Sequence, residues 1–171
     1  NLILTECSTL EKTKKFFYEN NIFSSRELEA RHEIVSEFFT KKIQIESRVL
    51  GDLAINHIIP TAIQHQNTLI QNVKGIKEIL PDVYDEVAAS QIETIKEISL
   101  HIQKIQSQVT EMTNKRKIAN KLTGTREKAF AYSKTVKPYF ESIRCHIDKL
   151  ELIVDDEIWP LPKYRELLFN R

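Results

Sequence analysis

An all-α fold is what this sequence predicts, and three observations predict it. Two seams, Ile95, Ile98, Ile102, Ile105, Val109, Met112, Arg116, Ala119 and Ala129, Ser133, Val136, Phe140, Ile143, Ile147, Leu150, Val154, advance in alternating steps of three and four. That spacing lines one side of a helix against a neighbour. Only three glycines and five prolines interrupt 171 residues, too few for a turn-rich β fold. No segment alternates apolar and polar residues with period two over strand length. The expected architecture is an elongated antiparallel helical bundle with a long proline-kinked helix, a helical hairpin and a short C-terminal helix.

The elements follow in order. Asn1–Cys7 carries no clear period and reads as irregular or extended. Ser8 with Glu11 makes a capping box for a short helix, whose apolar face is Leu10, Phe16 and Phe17 and which Asn20-Asn21 closes. Ser24 with Glu27 repeats the signal and opens a long helical region. There Phe38, Ile45 and Val49 form one apolar stripe, and Val35, Phe39, Ile43 and Leu50 form a second, rotated about one residue around. Two stripes imply contact on two sides. Proline within a helix removes a hydrogen bond and crowds the preceding turn, so Pro60 interrupts the region. The period resumes at once through Ile59, Ala62, Gln66, Leu69, Val73, Ile76 and Leu80, which reads as a kinked or restarted helix that Pro81-Asp82 ends.

Ser90 with Glu93 caps the first arm of a hairpin, Gln91–Lys121, which would run ~46 Å at 1.5 Å per residue. Thr123-Gly124-Thr125 is the turn, and Pro138 bends the second arm. After Asp155-Asp156-Glu157, the segment Trp159-Pro160-Leu161-Pro162 excludes regular helix, and Pro162 suits the start of a last short helix, Lys163–Phe169. The whole reads as one helical domain over 1–171: a helical extension at 1–58, a three-helix bundle core at 59–154 and a tail at 155–171. With no initiator Met or signal-peptide pattern at Asn1, it is expected to be a piece of a longer chain.

Composition narrows the function classes. Hydrophobic residues make up 41% and charged residues 29%, with a net charge of +1. That balance gives no global pull toward nucleic acid or an anionic membrane. The longest apolar run is Ala129–Tyr132, far short of a bilayer span. Cys7 and Cys145 make neither a CxxC motif nor a disulfide framework, so a cytoplasmic setting is expected.

Candidate chemistry is sparse. His57 and His65 flank Pro60, but zinc takes three or four ligands and no HExxH or Cys–His cluster adds the rest. Cys145 and His146 are adjacent, and helix neighbours point about 100° apart. Asp155-Asp156-Glu157 is the only tight carboxylate run; it reads as a helix exit, although the macrodipole disfavours negative charge there. Lys115, Arg116, Lys117, Lys121, Arg126 and Lys128 surround the hairpin turn with one acid, Glu127. Cations are favoured at a helix C-terminus, and no aromatic platform for single-stranded nucleic acid accompanies them. Glycines at 51, 75 and 124 exclude both GxGxxG and a Walker loop. No catalytic, cofactor-binding or metal residue is therefore assigned in this chain.

Three stretches carry a family resemblance. They are Ile22-Phe23-Ser24-Ser25-Arg26-Glu27-Leu28-Glu29-Ala30-Arg31-His32-Glu33-Ile34, then Ile58-Ile59-Pro60-Thr61-Ala62, and, the most specific, Val154-Asp155-Asp156-Glu157-Ile158-Trp159-Pro160-Leu161-Pro162-Lys163-Tyr164-Arg165-Glu166-Leu167-Leu168-Phe169. In this order they resemble the C-terminal region of type III glutamine synthetases, over essentially the whole chain. The resemblance implies an oligomeric parent enzyme that makes glutamine from glutamate and ammonia. ATP phosphorylates the glutamate side chain there, and a divalent metal, magnesium, stabilises the phosphates. It implies catalytic residues in upstream β-rich domains, and an assembly role for this region. The implied partners are the catalytic part of the same chain and other subunits of a homo-oligomer, with no nucleic acid and no membrane. The alternative is a freestanding helical interaction module. A third reading, an RNA- or phosphate-binding protein, rests on the basic hairpin turn alone.

Overall fold

The computed structural model describes residues 11–163 together with 166 and 168. Among these there is no strand. The helices are α1 (Glu11–Glu19), α2 (Ser25–Leu53), α3 (Ile59–Ile79), α4 (Tyr84–Val87), α5 (Ala89–Asn120), α6 (Thr125–Ala131) and α7 (Pro138–Ile153). The expected Ser8 cap, the segment Asn1–Cys7 and most of the expected helix Lys163–Phe169 lie outside the described residues.

Local chemistry explains the boundaries. Asn21, at φ 52°, ends α1 in the left-handed region. Its N–H donates to Tyr18 O at 3.1 Å and that of Ile22 to Phe17 O at 3.0 Å, the two bonds of a Schellman cap. The Ser24 N–H donates to Glu27 Oε2 at 2.8 Å and the Glu27 N–H returns to Ser24 Oγ at 3.3 Å. The capping box at the start of α2 is therefore formed. The hairpin turn falls between α5 and α6, where the sequence puts it.

Both interior prolines are met by one device. A π-helical turn, Ala54–Ile58, joins α2 to α3, and another, Tyr132–Val136, joins α6 to α7. In each, the residue before the proline donates five residues back: Ile59 to Ala54 O and Lys137 to Tyr132 O. Pro60 and Pro138 then enter the first turn of the next helix, where a missing N–H costs little. Widening the preceding turn relieves the crowding a proline ring brings. The period restarts at Pro60 as the sequence indicates, by a π-turn rather than a break.

Contacts gather into two compact units. The first takes its described residues from Asn1–Val49 and Glu111–Phe140, the second from Leu50–Thr110 and Glu141–Arg171. Leu28, Ile43, Met112, Ala119, Ala129, Tyr132 and Val136 are buried in the first unit. The second buries Ala54, Ile58, Ile59, Ala62, Ile98, Ile105, Val109, Ile143, Ile147, Leu150, Val154 and Trp159. Each fully buried large apolar side chain contributes about 1.5–3 kcal/mol. Both hairpin seams hold, with Ile95, Ile102, Arg116, Ser133 and Phe140 half-buried. Along α3 the seam fades: Ile59 and Ala62 are buried, Gln66 to Ile76 half-buried and Leu80 exposed. There Gln66 Nε2 donates to Ile95 O at 2.9 Å and to Ser99 Oγ at 2.6 Å.

Candidate functional site

The long helix α2 has the two faces its sequence predicts, and the first unit uses only one. The stripe through Ile43 turns inward, with Ile43 buried and Phe39 and Leu50 half-buried, although Val35 stays exposed. Phe38, Ile45 and Val49 point out, 71%, 62% and 52% exposed, and Ile34 extends the line at 66%. Residues 34, 38, 45 and 49 step by four, seven and four, so they stack along one helix face. An apolar row of this kind, flanked by Glu37, Lys41, Lys42 and Glu46, is the arrangement of a helix that packs against a partner. It is the most prominent candidate surface among the described residues.

The inward face contains residues the apolar pattern misses. Ser36, Thr40 and Ser47 are buried beside Ile43. With Ile43 they step by four, three and four, a seam visible only when small hydroxyl residues count as core-compatible. Burial is tolerated because Thr40 Oγ1 donates to Ser36 O and Ser47 Oγ to Gln44 O, each at 2.9 Å. The same face meets the hairpin through polar contacts. Arg116 Nη1 approaches Ser47 Oγ at 3.4 Å, and Gln44 Nε2 donates to Asn120 Oδ1 at 3.3 Å. Tyr132, fully buried, donates its hydroxyl to Asn120 Oδ1 at 2.7 Å. Burial pushes the Tyr132 phenol up, against the pull of Arg116 and Arg48.

The other sequence candidates separate. His57 is exposed within the first π-turn and His65 half-buried on α3. Cys145 is exposed and free, while His146 pairs with His101, a buried residue the sequence reading did not single out. Among the described residues no group of three or more His, Cys, Asp or Glu side chains can hold a metal ion. Of the basic residues at the turn, Lys115, Lys117, Lys121 and Arg126 are exposed; Arg116 and Lys128 are half-buried.

The acidic run is used structurally. Asp155 Oδ1 accepts from the Glu157 N–H at 3.0 Å, and Asp155 O from the Trp159 N–H at 3.2 Å. Asp156 pairs with Lys163, whose ammonium also donates to Glu151 O at 2.8 Å, a carbonyl in the last turn of α7. A cation thereby answers the negative helix end that the three acids would otherwise worsen. Lys163 also lies over the Trp159 ring, 6.0 Å from its centroid. A cleft of about 420 Å3 is lined by Lys14, Lys15, Tyr18, Phe23, Ser24, Ser25 and Leu28. Its two lysines are already paired, Lys14 with Glu29 at 3.7 Å and Lys15 with Glu19 at 3.6 Å. No helix among the described residues is long and apolar enough to cross a membrane.

Comparison with known proteins adds the family context. Residues 3–77 match the model of the glutamine synthetase C-terminal domain. A glutamine synthetase of Bacteroides fragilis is 55% identical over 151 residues, covering 88% of this chain and 21% of the relative. The type-3 glutamine synthetase of Dictyostelium discoideum is 32% identical over 169 residues, 94% of this chain and 22% of its own length. A glutamine synthetase of Butyrivibrio fibrisolvens is 24% identical over 154 residues, 90% and 22% of the two chains. The chain thus spans about a fifth of the length of these curated relatives.

Proposed function

Because this chain belongs with the C-terminal helical region of type III glutamine synthetases, we propose that it serves as an assembly module of an ATP-dependent glutamate–ammonia ligase. The observation that carries the reading is the exposed row Ile34, Phe38, Ile45 and Val49 on α2. The proposed partners are the catalytic part of the same polypeptide and other subunits of a homo-oligomer. ATP and magnesium belong, in this reading, to the parent enzyme. No step of the ligase reaction is assigned to this chain in this reading.

A freestanding interaction module would also use the α2 row. The likeness to much longer relatives, running over most of this chain and about a fifth of each of them, favours the module of a larger enzyme. The test is Phe38→Asp in the full-length parent, followed by analytical ultracentrifugation. The expected result is a shift to smaller species with helicity unchanged. An oligomer of normal size and stability would overturn the assembly role, and binding of an unrelated protein that competes with no subunit contact would favour the freestanding module.

A further inference from the structure

His101 on α5 and His146 on α7 face each other with Nδ1 to Nδ1 at 3.0 Å and ring centroids 5.2 Å apart. His101 is buried, 4% exposed, and His146 half-buried. At that separation one Nδ1 must carry the proton and the other must be bare. The buried His101 Nε2 has no hydrogen-bond partner, but Glu97 Oε1 lies 3.6 Å away. Which ring donates is set by the tautomer, and in either one a proton added to the bare Nδ1 of the accepting ring ends the bond. Two ring nitrogens fall short of the three or four ligands a zinc site takes, which makes this a proton site.

We propose that His101 and His146 form a proton-sensitive clasp between α5 and α7, closed while the rings share one Nδ1 proton and opened when each carries its own. Two Nδ1–H groups at 3.0 Å would point hydrogen at hydrogen and place one imidazolium charge, and with a further proton two, in a half-buried site. The charged groups facing the pair are Glu97 and Lys104 on α5 and Lys149 on α7. Glu97 can offset one positive charge; Lys104 and Lys149 oppose a second. Burial, then the charge His101 would carry, then Lys149 and Lys104 hold the His146 imidazole below its ordinary value. A histidine lowered in this way stabilises the fold above the unfolded imidazole value of ~6.5. That contribution is lost as pH falls from there through the lowered folded value.

The test is thermal unfolding of the chain and of His146→Asn from about pH 7.5 to about pH 5.5, with a chelator present. The asparagine amide can donate or accept in place of Nδ1 and does not titrate. The chain should lose roughly 2–4 °C more of its melting midpoint than the variant over this interval. Equal losses would overturn the clasp. Imidazole nitrogen NMR of the unaltered chain is a second measurement, and it decides the matter even where the variant fails to fold. An Nδ1–Nδ1 hydrogen bond present at neutral pH and lost on acidification is expected; its absence at neutral pH, or its persistence in acid, would overturn the proposal.

Discussion

The Tyr132 hydroxyl donates to Asn120 Oδ1 at 2.7 Å, tying the residue that opens the second π-turn to the last residue of α5 across the hairpin bend. Tyr132→Phe keeps the buried ring and removes the bond, while Asn120 retains Gln44. A loss of ~1 kcal/mol in chemical denaturation is expected. Tyr132→Ala also empties the site and should cost ~3–5 kcal/mol. Equal costs for the two would mean that the hydroxyl, rather than the ring, dominates.

The two faces of α2 should respond oppositely to the same chemistry. Ile43 is 3% exposed and Phe38 71%. Ile43→Ala should destabilise the chain by ~2–5 kcal/mol, whereas Phe38→Ser should change its stability by no more than ~0.5 kcal/mol. Urea titrations monitored by circular dichroism read both values. A large cost at Phe38 would mean that the outer face is covered within the chain.

Arg116 occupies a seam position and is half-buried. Ser47 Oγ, 3.4 Å away, is already bonded to Gln44 O, so removing the arginine leaves no buried hydroxyl without a partner. Arg116→Leu should be neutral or mildly stabilising, because the stem's packing is retained. A loss above ~2 kcal/mol would instead indicate a paired charge whose removal is costly.

The capping box carries its own pH signature. Hydrogen bonds from the Ser24 backbone and side chain hold the Glu27 carboxyl below its ordinary value. A depressed carboxyl stabilises the fold above its unfolded value, and that contribution is lost as pH falls through the folded one. Ser24→Ala should cost ~1 kcal/mol at neutral pH and shrink the acid loss. Acid titrations with unchanged slope would mean that the box contributes nothing.

Trp159, the single tryptophan, reports on the closing segment. It is 8% exposed beside Lys163. Lys163→Ala removes the bonds to Asp156 and to Glu151 O and should red-shift the tryptophan emission without changing helicity. An unshifted spectrum would mean that the apolar burial of Trp159 suffices to hold the segment.

The helices, their phases and the cap of α2 were legible in the sequence because periodicity and capping are local. A side chain's place around a helix depends only on its number, and Ser24 finds Glu27 three residues away whatever else the chain does. The candidate surface was half legible: two stripes on α2 could be read, but not that Ile43 turns in and Phe38 out. That choice is made by the neighbour that fits, and the small Ser36, Thr40 and Ser47 make the inner face the close-packing one. Only the tertiary structure brought His101 to His146, 45 residues on, since a pair held on two helices depends on their relative rotation. Lys163 is the same kind of case. Its number predicts a tail, while its bond to Glu151 O exists because the chain doubles back over Trp159 and places a cation at the negative end of α7.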